Sequence, residues 1–199
     1  MMHPGDPVGW PGLMIMAIGF FVFMAALFAA RRRGEKKPEG PGGRQVSSSW
    51  AGIAVQGFGI GLVGFGPQNL TLDPASPLAL GEAAIVAGLM IATIGLFFAA
   101  SRTMGKNWSL VARTRSDHRL VTGGPFAYVR HPIYVALFLF MVAIAVAFGH
   151  TGRLLVGVPV YALGTWLRIR HEERLLRDMF GAAYDAYAAS VKRFVPGIF

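Results

Sequence analysis

Apolar residues fall along this chain in five long blocks, and the polar residues collect between them. Residues 11–30 are almost wholly apolar and end at Arg31-Arg32-Arg33. That is long enough for one bilayer crossing, which needs about 20 residues. The second block, 50–66, is short and glycine-rich; the third runs over 79–100, the fourth over 132–149 and the fifth over 154–167. Only a short turn, 149–153, separates the last two, so they read as a tight antiparallel hairpin. The pattern predicts an all-α integral membrane protein of about five transmembrane helices. The charged, aromatic tail at 168–199 reads as helical to about residue 190, an amphipathic helix lying on the membrane surface.

The connections then orient the helices. Lys and Arg number six in the Gly/Pro/Ser-rich linker 31–49, six in the connection 101–131 and six in the tail, with Arg153 the remaining one. The loop holding Pro67, Asp73, Pro74 and Pro77 has none. Five crossings put the three basic regions on one side, which the positive-inside rule makes cytoplasmic, with the N-terminus outside and the C-terminus inside. The expected location is a bacterial inner membrane. A cleaved signal peptide is the rival reading of 11–30, but its positive charge follows the apolar run instead of preceding it.

Composition agrees with this and removes other classes. Charged residues make up 15% of the chain against 54% hydrophobic, with a mean hydropathy of +0.49, whereas soluble domains carry about 25% charge. The net charge of +9 is spread through inter-span connections, so it reads as topology and not as a nucleic-acid surface. With no cysteine, disulfides, thiolate nucleophiles, iron–sulfur clusters and cysteine zinc sites are excluded. Gly59, Gly61 and Gly64 spell GxGxxG, but inside an apolar block and without a preceding strand this is no dinucleotide fingerprint. Gly57 and Gly61, at GxxxG spacing, are instead expected to let helices pack closely.

Candidate chemistry concentrates in two places. In GGPFAYVRHPIY (123–134) a Gly-Gly-Pro turn leads to Pro132 at the start of an apolar helix, with Arg130 and His131 beside it. A helix N-terminus flanked by a cation and a titratable ring is a seat for a carboxylate or phosphate. In the tail, Ile169, Glu172, Glu173, Leu176 and Phe180 share one helical face. Two readings stay open for the carboxylates. They form surface ion pairs (Arg168–Glu172, Arg170–Glu173, Glu173–Arg177) at helical spacing, or one of them faces a ligand bearing hydroxyls, amines or a cation. Glu82 is the only ionisable residue inside a predicted span, which argues against transport. No HExxH or other metal-ligand spacing occurs, so no metal is expected.

Three segments, HRLVTGGPFAYVRHPIY, RIRHEERLL and FGAAYDAYAASVKRFVP, taken in order, resemble the C-terminal half of the isoprenylcysteine carboxyl methyltransferase family, relatives of the phospholipid N-methyltransferases. The resemblance covers roughly 105–197. It implies a membrane methyltransferase using S-adenosylmethionine, with 101–199 the catalytic region and 1–100 three scaffold helices. It places His118, Arg119, Leu120, Val121 and Phe126 against the cofactor, followed by His131, Pro132, Ile133 and Tyr134. Phe126 stands where the family often has tyrosine. Glu172 would bind the cofactor, and Arg168 would face the methyl acceptor; His131 or Glu172 would act as base if that acceptor is an amine or thiol. The expected acceptor is a carboxylate on an amphiphilic or isoprenoid-linked molecule reached from the lipid bilayer. Phospholipid amines and small thiols are alternatives, as is an NADPH-dependent membrane reductase sharing RHP-x-Y.

Overall fold

Each apolar block forms a helix: α1 (Trp10–Glu35), α2 (Ser48–Gly64), α3 (Pro77–Met104), α4 (Pro132–Ala147) and α5 (Leu154–Phe180), followed by α6 (Ala182–Ser190). The structure, a computed structural model, describes residues 5–35, 48–105 and 119–197. His118 and most of the 31–49 linker lie outside the described residues. Helix boundaries have local causes. The Ser76 hydroxyl accepts from the Ala79 N–H, and Pro77 follows at the first helical position. Pro132 opens α4 in the same way. Gly181, at φ +50°, breaks the tail into two helices. The tail therefore differs from its expected form. The stretch 168–180 continues α5 without interruption, and only α6 is a separate surface segment.

Among the described residues, two stretches are long and apolar enough to cross a membrane, Trp10–Arg33 with 24 residues and Pro77–Met104 with 28. Trp50–Gly64 and Pro132–Ala147 are apolar but shorter. Large apolar side chains point outward along the bundle, among them Phe21, Phe58, Ile91 and Leu155. Such a surface needs lipid or a partner to cover it. Inside, Phe23 meets Phe97 edge-on at 5.1 Å and stacks on Phe140 at 5.2 Å, tying α1, α3 and α4 together.

α4 and α5 are joined by the short turn, yet each packs mainly on another helix: α4 on α3, and α5 on α2. Glycine spacing is the reason. Gly52 and Gly59 on α2 face Gly164 and Gly157 on the antiparallel α5, and a β-carbon at Gly59 would stand 2.7 Å from the Tyr161 nitrogen. Gly57 and Gly61, expected to make the close contact, face open space within 4 Å. The period that matters is seven residues, not four.

The two ends of the bundle are built differently. At one end β1 (Pro7–Val8) pairs in parallel with β2 (Asn69–Leu70), and the Asp6 N–H donates to Gly149 O at 2.7 Å. The His150 ring lies 2.8 Å from Val63 O and 3.1 Å from Pro67 O. The N-terminal segment, the α2–α3 loop and the α4–α5 turn thus share this end. The opposite end gathers the C-termini of α1 and α3, where Arg33 donates to Ser101 Oγ at 3.3 Å, with residues 119–131 and the tail.

Candidate active site

The stretch before α4 is held by the tail. Gly124 (φ +58°) starts a 3₁₀ turn, Gly124–Ala127, that buries Phe126. The chain then runs beside residues 192–193: the Arg130 N–H donates to Lys192 O at 2.8 Å and the His131 N–H to Arg193 O at 3.1 Å. The Arg130 guanidinium closes the α6 C-terminus, donating to Ala188 O and Val191 O at 2.6 Å each. Tail carbonyls therefore occupy N–H groups at the place where an anion seat was expected.

Beneath this staple lies a cleft of ≈ 470 Å³ of empty space, open solvent at its mouth included. Arg119, Leu120, Val121, Phe126 and His131 line it. Met104 from α3, Arg130, Leu176 from α5 and Tyr184 and Tyr187 from α6 join them. Tyr187 is itself fixed, its hydroxyl donating to Phe126 O at 2.7 Å. Burial pushes its pKa up to about 12. Burial, then the nearby Glu173 charge, raises Tyr184 further, so both stay hydroxyl donors near neutrality. Two buried polar atoms in this wall, Tyr184 Oη and Arg130 Nε, have no hydrogen-bond partner among the described residues. Unmet donors in an otherwise apolar and aromatic cleft fit a ligand with polar ends.

A second cluster of polar and aromatic side chains lies behind His131. Its ring is 7% exposed, stacks on Tyr134 at 5.7 Å and leans on Phe194 at 6.1 Å. Nε2 is 3.2 Å from Glu173 Oε1, so this nitrogen carries the hydrogen and donates to the carboxylate. Nδ1 looks the other way, 3.9 Å from Glu172 Oε2. The Tyr134 hydroxyl donates to Glu172, while Arg168 lies 3.7 Å from Glu172 and 4.9 Å above the Tyr134 ring. Tyr161 donates to Tyr134 O at 2.6 Å, holding the start of α4 against α5. Pro132 is buried at the helix start, and Ile133 packs on the core.

The two carboxylates separate sharply. Glu173 is 2% exposed and is the hub of the site. Arg193 donates to it twice at 3.1 and 2.9 Å, Arg130 at 3.1 Å, and Arg177 stands at 3.8 Å. Burial alone would raise its pKa; the hydrogen bonds and charges of His131 and Arg193 outweigh this and hold the carboxyl well below its usual range. Glu172 joins Arg168 and Tyr134 instead. Of the expected ion pairs, Arg168–Glu172 and Glu173–Arg177 form, whereas Arg170 lies over the Trp166 ring at 4.7 Å.

Sequence reasoning missed the hub role of Glu173, the cleft wall formed by α6, and Gln56. The last is 3% exposed and bonds Arg168 and Thr165 from α2. Its signal was visible as the one polar side chain in WAGIAVQGFGIGLVGFG.

A polar site at one end of a bundle of apolar helices defines a membrane-type helical protein. Comparison with known proteins narrows the class: residues 85–178 match the model of the isoprenylcysteine carboxyl methyltransferase (ICMT) family. The match begins in α3 and stops before α6. A protein-S-isoprenylcysteine O-methyltransferase of Schizosaccharomyces pombe is 36% identical over 98 residues, covering 46% of this chain and 40% of that protein. One from Tribolium castaneum is 33% identical over 122 residues, 56% and 41% of the two chains. The nickel-cobalt-cadmium resistance protein NccN of Alcaligenes xylosoxydans is 30% identical over 105 residues, 52% and 49%. The chain spans about half or less of the length of these relatives.

Proposed function

We propose that this protein is an integral-membrane methyltransferase that uses S-adenosylmethionine and methylates a carboxylate on an amphiphilic, isoprenoid-linked acceptor. The observation that carries this reading is the position of His131, one wall of the cleft on one side and within reach of the Arg168–Glu172 pair on the other. A cofactor under the tail and an acceptor at Arg168 would have to touch directly at the edge of this ring.

The cleft fits the cofactor in kind. Tyr184 Oη and Arg130 Nε await polar partners, Arg119 lies at the rim, and Leu120, Val121 and Phe126 offer an apolar and aromatic wall. When bound, S-adenosylmethionine supplies an electrophilic methyl group on a sulfonium. The chain does the rest. Aromatic faces at Phe126 and Tyr134 favour a cation nearby. The guanidinium of Arg168 clamps the acceptor carboxylate in a charge-assisted pair. Such an acceptor is already deprotonated, so no general base is required. His131, Pro132 and Ile133 fix the start of α4, keeping Tyr134 and Glu172 in place. Holding the two reactants in line can supply about 7–11 kcal/mol of the barrier.

On this reading residues 101–199 are the catalytic region and 1–100 largely the supporting helices. α2, α4 and the first half of α5 are short spans completing five crossings, with the C-terminus cytoplasmic in a bacterial inner membrane. The shared end of residues 5–8, 66–70 and 148–151 supports the parity this requires. The names of the relatives do not converge on one substrate, so the acceptor class rests on Arg168.

The test is calorimetric titration of S-adenosylmethionine and S-adenosylhomocysteine into the detergent-purified protein, with Glu172→Ala and His131→Ala alongside. We expect micromolar binding by the native protein and at least a tenfold loss in both variants, about 1.4 kcal/mol. A folded native protein that binds neither compound would sink the reading, and NADPH would be tried next.

A further inference from the structure

We propose that the Tyr184 hydroxyl is a ligand-binding group of the cleft, donating a hydrogen bond to an acceptor atom of the molecule held there. The inference deepens the cofactor reading of the cleft and rests on it.

A buried aromatic ring has no need of a hydroxyl. Tyr184 is 1% exposed, and a phenylalanine would fill the same space without the cost of taking a polar group out of water. Buried hydroxyls are kept where something pairs with them. The other tyrosines that the fold covers obey that rule. Tyr134 donates to Glu172, Tyr161 to Tyr134 O at 2.6 Å and Tyr187 to Phe126 O at 2.7 Å. Tyr184 departs from it: its Oη has no hydrogen-bond partner among the described residues.

The ring is held where it stands. It meets the Tyr187 ring edge-on at 6.2 Å and has the Arg177 guanidinium 5.4 Å above its face. Its own N–H donates to Gly181 O at 3.0 Å, so the first turn of α6 fixes the residue. Tyr184 lines the cleft together with Leu120, Val121, Phe126 and Leu176, whose side chains offer no hydrogen-bonding atom. Burial and the Glu173 charge keep the proton on its oxygen near neutrality. The second unmet atom of this wall, Arg130 Nε, can only donate. Donors set in an apolar wall call for a ligand with acceptor atoms at that place. S-adenosylmethionine has them in its purine ring and in its carboxylate. The group that would receive them sits in α6, past the end of the matched segment at residue 178.

The experiment takes the native protein, Tyr184→Phe and Tyr187→Phe in detergent. It measures the thermal midpoint without ligand and, by calorimetry, the binding of S-adenosylhomocysteine and of NADPH. Tyr184→Phe should raise the ligand-free midpoint by about 2 °C or more, because it removes an unpaired buried hydroxyl. The same change should weaken S-adenosylhomocysteine binding by about five- to tenfold. Tyr187→Phe should lower the ligand-free midpoint, because its hydroxyl has Phe126 O to lose. A Tyr184 that only supports the fold cannot give a firmer free protein and a weaker complex together. If Tyr184→Phe binds as the native protein does, or its ligand-free midpoint falls, the inference is overturned and the cofactor reading survives. A native protein that binds NADPH and not S-adenosylhomocysteine, with that binding weakened in Tyr184→Phe, would keep the inference and remove the methyl-donor reading. Binding of neither compound by the folded native protein would overturn both.

Discussion

At the scale of single residues, Glu173 decides whether the site exists at all. Its carboxylate is 2% exposed and meets hydrogen-donating groups from three parts of the chain: Arg130 and His131 before α4, Arg177 one turn on, and Arg193 in the tail. Glu173→Gln leaves these groups around a neutral amide. Breaking a buried pair from one side costs about 3–5 kcal/mol, and the loss should appear as a lowered thermal midpoint in detergent. The pH dependence has a definite sign. The folded carboxyl has a pKa depressed below the unfolded value of 4.5, so its contribution is complete above that value. It is lost as the pH falls through the folded value. The native midpoint should therefore decline below about pH 5, and Glu173→Gln should lack that component. An unchanged pH profile in the variant would refute the hub role. The sequence put Glu172 and Glu173 on one helical face but could not say which would be buried. The partners that decide it lie 43 residues earlier and 20 residues later, and helical spacing carries no information across such distances.

At the scale of elements, the helices were legible and their partners were not. Blocks of apolar residues located α1 to α4 and the start of α5 within a few residues, because burial in lipid or core demands them, while α5 runs past its block to Phe180. Which helix meets which depends on where small residues line up on two facing surfaces, and 50–66 offers five glycines to choose from before its end. Gly52 and Gly59 meet α5; Gly57 and Gly61 do not. The pair Gly59→Ala and Gly61→Ala tests this directly. The first forces a methyl to 2.7 Å from the Tyr161 nitrogen, an overpacking that should cost about 1–3 kcal/mol. The second meets nothing and should be neutral or gain up to about 1 kcal/mol from helix propensity. Thermal unfolding in detergent reads both, and equal effects would mean that α2 packs on α5 through another face. The same comparison explains why the tail's role at the cleft was invisible: Tyr184 and Tyr187 reach it only because Gly181 turns α6 back beneath residues 126–131.

At the scale of the whole molecule, one geometric fact and one compositional fact point the same way. The N-terminal strand, the α2–α3 loop and the α4–α5 turn are bonded together at one end, and that end has Arg153 as the single Lys or Arg among its described residues. The other end carries Arg31, Arg32, Arg33, Arg102, Arg119, Arg130 and the basic tail. Five crossings with the basic end in the cytoplasm satisfy both, although α2 and α4 are shorter than an ideal span. Short helices can be accommodated by local thinning of the bilayer. The absence of cysteine makes the topology directly measurable, since any introduced thiol is unique. Ala75→Cys lies exposed in the α2–α3 loop and Ala189→Cys exposed near the end of α6. In intact spheroplasts a membrane-impermeant maleimide should label position 75 and spare position 189, and in inverted vesicles the pattern should reverse. Labelling of both from one side would mean an even number of crossings between them. One of α3, α4 and α5 would then fail to cross the bilayer, and the five-crossing topology would fall.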